Sequence, residues 1–100
     1  MSKPVTDYRT ALCHALRDPT EAAAYLTAAL EEGDSAVFLL ALRDVADAQG
    51  MSTLATQAQL NRENLYRMLS AQGNPQLDSL TAVLEALHLR LAITVKEAAS

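Results

Sequence analysis

The sequence predicts a compact all-α domain of five or six helices that ends in a short β-strand. Apolar residues recur at three- and four-residue intervals through successive segments, which is the spacing of one buried helix face. Half of the 100 residues are apolar, with only three Gly and three Pro, a composition typical of a packed helical protein and not of a disordered chain. The length is that of one domain, so residues 1–100 are treated as a single unit.

The N-terminal part, residues 6–50, is predicted to form three acidic helices. Asp18 and Asp34 are expected to cap the second and third helices, because a short side-chain oxygen can accept from the first free backbone N–H groups. Gly33 and Gly50 are expected to end them. The residues expected to face the core are Tyr8, Leu12, Ala15 and Leu16, then Ala22, Tyr25, Leu26, Ala29 and Leu30, then Val37, Phe38, Ala41, Leu42 and Val45.

Residues 51–70 are predicted to form two short helices joined by a tight turn, a helix-turn-helix. Helices that cross steeply over a short turn need small or apolar residues at fixed offsets. Six positions meet that need: Leu54, Ala55, Ala58, Leu60, Leu65 and Met68. Gln59 occupies a position that favours Gly, because the backbone there takes a positive φ. We expect Gln59 to adopt that conformation at a cost of about 1 kcal/mol.

The second of these helices is predicted to read DNA. Ser52 is expected to cap the first helix and Asn61 the second. Arg matches guanine edges, Asn matches adenine edges, and Glu can accept from the cytosine amino group, all in the major groove. The predicted DNA-binding residues are Asn61, Arg62, Glu63, Asn64, Tyr66 and Arg67, together with the capping groups Ser52 and Thr53. The alternative is a solvated helix face in which Arg62 stacks on Tyr66.

The C-terminal part is predicted to contain a helix over residues 76–88 and a strand over 89–96. A turn at residues 73–75 precedes the helix, whose expected buried stripe is Leu77, Leu80, Val83, Leu84 and Leu87. Apolar and polar residues then alternate from Leu89 to Lys96, which favours a half-buried strand. A lone strand leaves its backbone groups unpaired, so we expect it to pair with the same strand of a second copy. A helical extension or a frayed tail is the alternative.

The charge distribution bears on the DNA prediction. The net charge is −4, and the first fifty residues account for all of it, with four Lys and Arg against eight Asp and Glu. Affinity for DNA depends on the cations that meet phosphates and not on total charge. A monomer with this balance of charges is expected to bind DNA weakly, so the sequence favours a homodimer with two reading helices.

Other classes of function find little support. No nucleophile or Gly-rich phosphate loop accompanies the carboxylates Glu31, Glu32 and Asp34, so we expect no enzyme activity. Cys13, His14 and His88 lack a metal-site spacing, and no metal or other cofactor is expected. No apolar run approaches the roughly 20 residues of a membrane span. With one cysteine and no secretory signal, the expected location is the cytoplasm.

With these motifs placed, the chain resembles the HigA-like addiction-module antidote proteins. These are helix-turn-helix antitoxins, similar to the lambda-repressor-like XRE/Cro proteins, from bacterial type II toxin–antitoxin pairs. The resemblance rests on EAAAYLTAALEEGDSAVFLLAL, DVADAQGMSTLA, NRENLYRMLS, the GNP turn and a leucine-rich helix ending LHLRL. The family pattern usually has Gly at the position of Gln59, so this chain departs from it in the turn.

This resemblance implies an antitoxin that binds and neutralises a RelE-like toxin and represses its own operon as a dimer. Such toxins are generally basic, so an acidic surface would attract one. The acidic residues considered for that role are Asp18, Glu21, Glu31, Glu32, Asp34, Asp44 and Asp47. Solvated helix faces and helix caps are the alternative for them. Two alternative functions are a stand-alone repressor without a toxin and an interaction module that never touches DNA.

Overall fold

The computed structural model describes residues 5–97. Over that range the chain is all-helical, as predicted. The helices, in chain order, are α1 (Val5–Ala15), α2 (Pro19–Glu31), α3 (Ser35–Gln49), α4 (Met51–Ala58), α5 (Arg62–Met68) and α6 (Leu77–Ala86). None of them is both long enough and apolar enough to pass through a lipid bilayer, counting only the described range.

Single capping residues determine where most of the helices begin or end. The Asp18 carboxylate accepts from the Thr20 backbone N–H at 3.0 Å, and the Asp34 carboxylate accepts from the Ala36 N–H at 2.9 Å. Gly33, after α2, has a φ of 79°, in the left-handed region that a residue without a Cβ enters easily. These three predictions are confirmed.

The start of α4 differs from the prediction. Gly50, with a φ of 99°, ends α3 and begins α4 at once, so α4 starts at Met51. Within the described residues no side chain caps α4, and Ser52 and Thr53 lie in its first turn. The prediction that Ser52 and Thr53 act as caps is therefore wrong, because Gly50 takes the cap position and α4 starts two residues before the Thr53 start that a Ser52 cap requires.

Helix α3 lies at the centre of the packing. It contacts α1, α2 and α4, and α4 in turn contacts α5 and α6. The largest side chains with almost no exposure are Leu42, Val45, Leu54, Leu65, Leu69, Val83 and Leu87. No polar or charged side chain of the described residues is buried, so hydrophobic burial is the dominant force holding the helices together.

Several residues expected in the core are instead at the surface. Tyr8, Leu30, Val37 and Leu77 are all exposed, with Leu77 at 64%, and Ala15 is exposed as well. Leu12, Tyr25 and Leu80 are only half-buried. A helical apolar stripe can be wider than the neighbour that covers it, and its edge then stays in water.

The predicted C-terminal strand is not seen. Residues 89–97 are neither helix nor strand, and α6 ends at Ala86, so the helical extension is absent too. A strand exists only as part of a hydrogen-bonded ladder, and no neighbouring strand is available within the described part of this single chain. Ile93 and Val95 are 100% and 92% exposed as a result.

Gly73, in the turn before α6, packs where a side chain would not fit. A Cβ placed on it would overlap the Met68 carbonyl oxygen at the end of α5. The Gly73 backbone N–H also donates to the Ser70 carbonyl at 2.9 Å, which fixes the turn against α5. The glycine of the GNP turn is therefore required by a close approach of two backbone segments.

We predict that Gly73→Ala lowers the free energy of unfolding by roughly 2 kcal/mol or more, because backbone must shift to admit the methyl group. Gly33→Ala is the control, since a Cβ there meets nothing within 4 Å and only the positive φ opposes it. It should cost about 1 kcal/mol. Urea denaturation followed by circular dichroism measures both. An equal or smaller loss for Gly73→Ala would show that the turn relaxes freely.

Candidate nucleic-acid interface and acidic surface

The turn between α4 and α5 consists of residues 59–61 and is closed by backbone hydrogen bonds. Gln59 has a φ of 59° and a ψ of 43°, which confirms the predicted left-handed conformation at that position. The Gln59 N–H donates to the Thr56 carbonyl at 3.2 Å, and the Leu60 N–H donates to the Ala55 carbonyl at 2.9 Å. The chain reverses within three residues, and α5 starts directly beside α4.

Apolar contacts fix the rotation of α5 about its own axis. Leu65 is fully buried, Met68 is nearly so, and Ala55 on α4 is buried as well. Leu60, in the turn, is half-buried against the same core. Leu54 and Ala58 are buried too, so the six residues predicted for the contact of the two helices all face inward, and the opposite side of α5 lies at the surface.

The predicted reading residues form most of that exposed side. Arg62, Glu63, Asn64 and Arg67 on α5 are exposed, as is Asn61 just before it. Tyr66 is half-buried and packs against the core cluster. Ser52 and Thr53 are exposed on α4, and within residues 5–97 no hydrogen bond joins either of them to α5.

Asn61 is the cap of α5, as predicted, and this changes what it can offer to DNA. Its Oδ1 accepts from the Glu63 backbone N–H at 2.7 Å and from the Asn64 N–H at 3.4 Å. An Asn pairs bidentately with adenine through one acceptor and one donor. Because the acceptor is already engaged, Asn61 retains only its amide N–H groups for a partner.

An aromatic–arginine cluster joins α3 to α5. The Arg43 guanidinium lies 4.6 Å from the Tyr66 ring centroid, and the Arg62 guanidinium lies 5.7 Å from it. The Arg62–Tyr66 contact, which the alternative of a solvated helix face includes, is present, and Arg43 is an addition that the sequence did not indicate. The Arg43 Nε also lies 3.3 Å from the Asp47 carboxylate, one helical turn further along α3. That i,i+4 pair is the only sign of a role for Arg43 that is visible in the sequence alone.

A groove of about 730 Å³ with a mixed polar and apolar lining runs beside α5, and the sequence did not indicate it. Arg67 and Asn64 lie on its α5 side, and the turn to α6 contributes Ser70, Gln72, Asn74 and Gln76. The Arg67 guanidinium donates to the Asn64 side-chain oxygen at 3.4 Å. Amide and hydroxyl groups next to an arginine are the groups that proteins use to bind phosphate oxygens.

The seven acidic residues considered for toxin binding divide into two groups. Asp18 and Asp34 cap helices, Asp47 pairs with Arg43, and Asp44 accepts a 2.6 Å hydrogen bond from the Tyr25 hydroxyl. The second group consists of exposed carboxylates on α2 or at its end: Glu21, Glu31 and Glu32. Four of the seven candidate residues are thus engaged within the chain. This favours the structural interpretation for Asp18, Asp34 and Asp47, whereas the hydrogen bond from Tyr25 uses one of the two Asp44 carboxylate oxygens.

Tyr25 is the group whose acidity is most altered by its surroundings. Burial raises the pKa of Tyr25 to about 12, and the hydrogen bond to Asp44 and its negative charge add to the shift. Burial, the hydrogen bond and the Asp44 charge all favour the neutral phenol over the phenolate. Tyr25 and Asp44 therefore remain hydrogen-bonded across the α2–α3 contact well above neutral pH.

Within the described residues, no three His, Cys, Asp or Glu side chains come close enough to share a metal ion. Cys13 is a free, half-buried thiol on α1.

Comparison with known proteins finds one family that matches most of the chain. The family described as "Probable addiction module antidote protein" matches residues 7–95. An uncharacterized protein of Haemophilus influenzae (strain ATCC 51907 / DSM 11121 / KW20 / Rd) is 39% identical over 69 residues, which is 69% of this chain and 71% of that protein. No solved structure matches the chain significantly.

We predict that Tyr25 titrates near pH 12 in the folded protein, in a Tyr8→Phe/Tyr66→Phe background that leaves it as the only tyrosine. Its folded pKa lies above the unfolded value of about 10, so the stability that it contributes is present below pH 10 and is lost as the pH rises towards 12. Ultraviolet absorbance of the phenolate measures the titration.

Asp44→Asn is the matched variant for this titration. It should lower the pKa of Tyr25 only in part, since burial is the larger cause and is unchanged. A midpoint near 10 in the folded protein with Asp44 intact would refute the assigned environment.

Proposed function

The chain belongs to the family of probable addiction module antidote proteins, and we propose that it neutralises a protein toxin and represses its own operon by binding DNA. It acts as a binding protein in the cytoplasm and not as an enzyme. The toxin is RelE-like, as the resemblance to HigA-like antitoxins implies. The observation that carries the proposal is the family match over residues 7–95, since an antidote acts by opposing a toxin.

The antitoxin role is tested by co-expression with the product of the adjacent reading frame. Expression of that product alone should arrest growth, and co-expression of this chain should restore it through a complex that co-purifies. Growth arrest that this chain does not relieve would contradict the antitoxin role. An adjacent product without any effect on growth would favour the stand-alone repressor.

The DNA-binding role is supported by the exposed side of α5. That side carries Arg62, Glu63, Asn64 and Arg67, while Leu65 and its apolar neighbours hold the helix to the core. Arginine and asparagine at the exposed start of a short helix suit base edges in the major groove. Arg43, stacked on Tyr66, supplies a further positive charge at the same surface.

We further propose that the protein acts as a homodimer, which brings two reading helices to one operator. Ile93 and Val95 are almost fully exposed, and side chains of that size are expected to be covered by a second protein surface. Light scattering should report a dimer, and Ile93→Asp should release monomers. A wild-type chain that is monomeric at operator-binding concentrations would contradict the dimer.

We predict that Arg62→Ala/Arg67→Ala lowers affinity for the upstream region of the operon about 100-fold, because each interaction with a base edge is worth roughly 1–3 kcal/mol. The slope of log K against log salt should fall by about 0.9 for each phosphate that is no longer neutralised. Mobility-shift titrations at several salt concentrations measure both quantities.

Arg9→Ala/Arg90→Ala is the matched control, because it removes the same charge from exposed positions outside α5. It should leave the affinity and the slope unchanged. If both double variants weakened binding equally, the effect would be one of total charge, and α5 would not be the reading helix.

A further inference from the structure

A shallow groove lies between α2 and α3 and encloses about 350 Å³. Helix α2 contributes Tyr25 and Ala28 to its lining, and Glu32 follows at the end of that helix. Helix α3 contributes Val37, Leu40 and Asp44. We call these six residues the α2–α3 groove.

The groove is apolar in its middle and open to solvent. Leu40 is 48% exposed and Val37 is 38% exposed, although both lie on the helix that forms the centre of the packing. Scattered exposed leucines are ordinary, but adjacent apolar side chains that line one concave surface are typical of a binding site.

The charges around the groove have one sign. Glu32 and Asp44 are carboxylates, and no Lys or Arg of the described residues lines it. The groove also belongs to the half of the chain that carries the whole net charge of −4. A partner that inserts apolar side chains here would gain further from flanking Lys or Arg residues, which would meet these carboxylates.

Tyr25 is already held in an orientation that allows such a contact. Its hydroxyl is held by Asp44 at 2.6 Å, so the ring has a fixed orientation at the wall of the groove. A side chain that is already ordered loses little conformational freedom on binding, which is one reason why tyrosines are frequent among the residues that dominate interfaces.

We propose that the α2–α3 groove is the surface that binds the toxin, through a toxin segment that presents an apolar side chain between basic residues. This rests on the proposed antitoxin function. A second copy of this chain fits less well, because a two-fold contact places the same patch on both sides and would bring Glu32 and Asp44 towards their own counterparts.

The test uses the full-length chain and the immobilised product of the adjacent toxin gene, with dissociation constants from biolayer interferometry. Leu40→Arg should raise Kd by at least about 30-fold, the effect expected when a central interface residue is replaced. Glu32→Lys, at the rim, should raise it roughly fivefold. Because Glu32 is exposed, this second variant tests the groove without altering the packing of α3.

Two matched controls make the same chemical changes outside the groove. Leu77→Arg alters another exposed leucine, and Glu85→Lys reverses the charge of an exposed carboxylate on α6. Both should bind the toxin as the wild type does. Circular dichroism should be unchanged for all four variants, which shows that each remains folded.

The outcomes separate the two proposals. Wild-type binding with loss only in Leu40→Arg and Glu32→Lys supports the groove. Wild-type binding that Leu40→Arg leaves intact, or that the controls weaken equally, overturns the groove and leaves the antitoxin function standing. Conversion of dimers to monomers by Leu40→Arg with toxin binding intact would overturn the groove as the toxin site and assign it to self-association. A wild type that does not bind the toxin at all would overturn both proposals.

Discussion

The anchoring of α5 is the interaction on which the candidate DNA surface depends. Seven residues are too few for a helix to be stable alone in water, so tertiary contacts must hold it. Leu65 and Leu69 have no exposure at all, and Met68 has little. Their burial determines which side of α5 meets solvent, while the left-handed Gln59 and the Asn61 cap determine where the helix starts. The polar side chains of α5 have a defined direction only because these apolar ones are covered.

Helix α3 joins that surface to the acidic half through neighbouring residues. Arg43 stacks on Tyr66 of α5, and the next residue, Asp44, bonds Tyr25 of α2. One central helix therefore supports two surfaces of different charge. This arrangement suits the two proposed partners, DNA and a toxin, because neither surface requires a separate domain.

Much of this arrangement could be predicted from the sequence because it is local. Asp18, Asp34 and Asn61 cap helices through contacts only two or three residues away, and the three-residue spacing of Leu65 and Met68 shows the inward face of α5. The predictions fail where residues far apart in the sequence determine the structure. Exposure of Val37 and Leu77 depends on how far a neighbouring helix extends, the strand over 89–96 depends on a second strand, and Arg43 reaches Tyr66 across 23 positions of sequence. Periodicity carries none of that information.

The most direct measurement of the central claim is a backbone amide NMR titration of the labelled protein with a duplex from its own operator region. We expect the largest shift changes at residues 61–67 and around Arg43, while the amides of α2 stay close to their free positions. Formation of a specific complex in which residues 61–67 do not shift would show that the exposed side of α5 is not the surface that meets DNA.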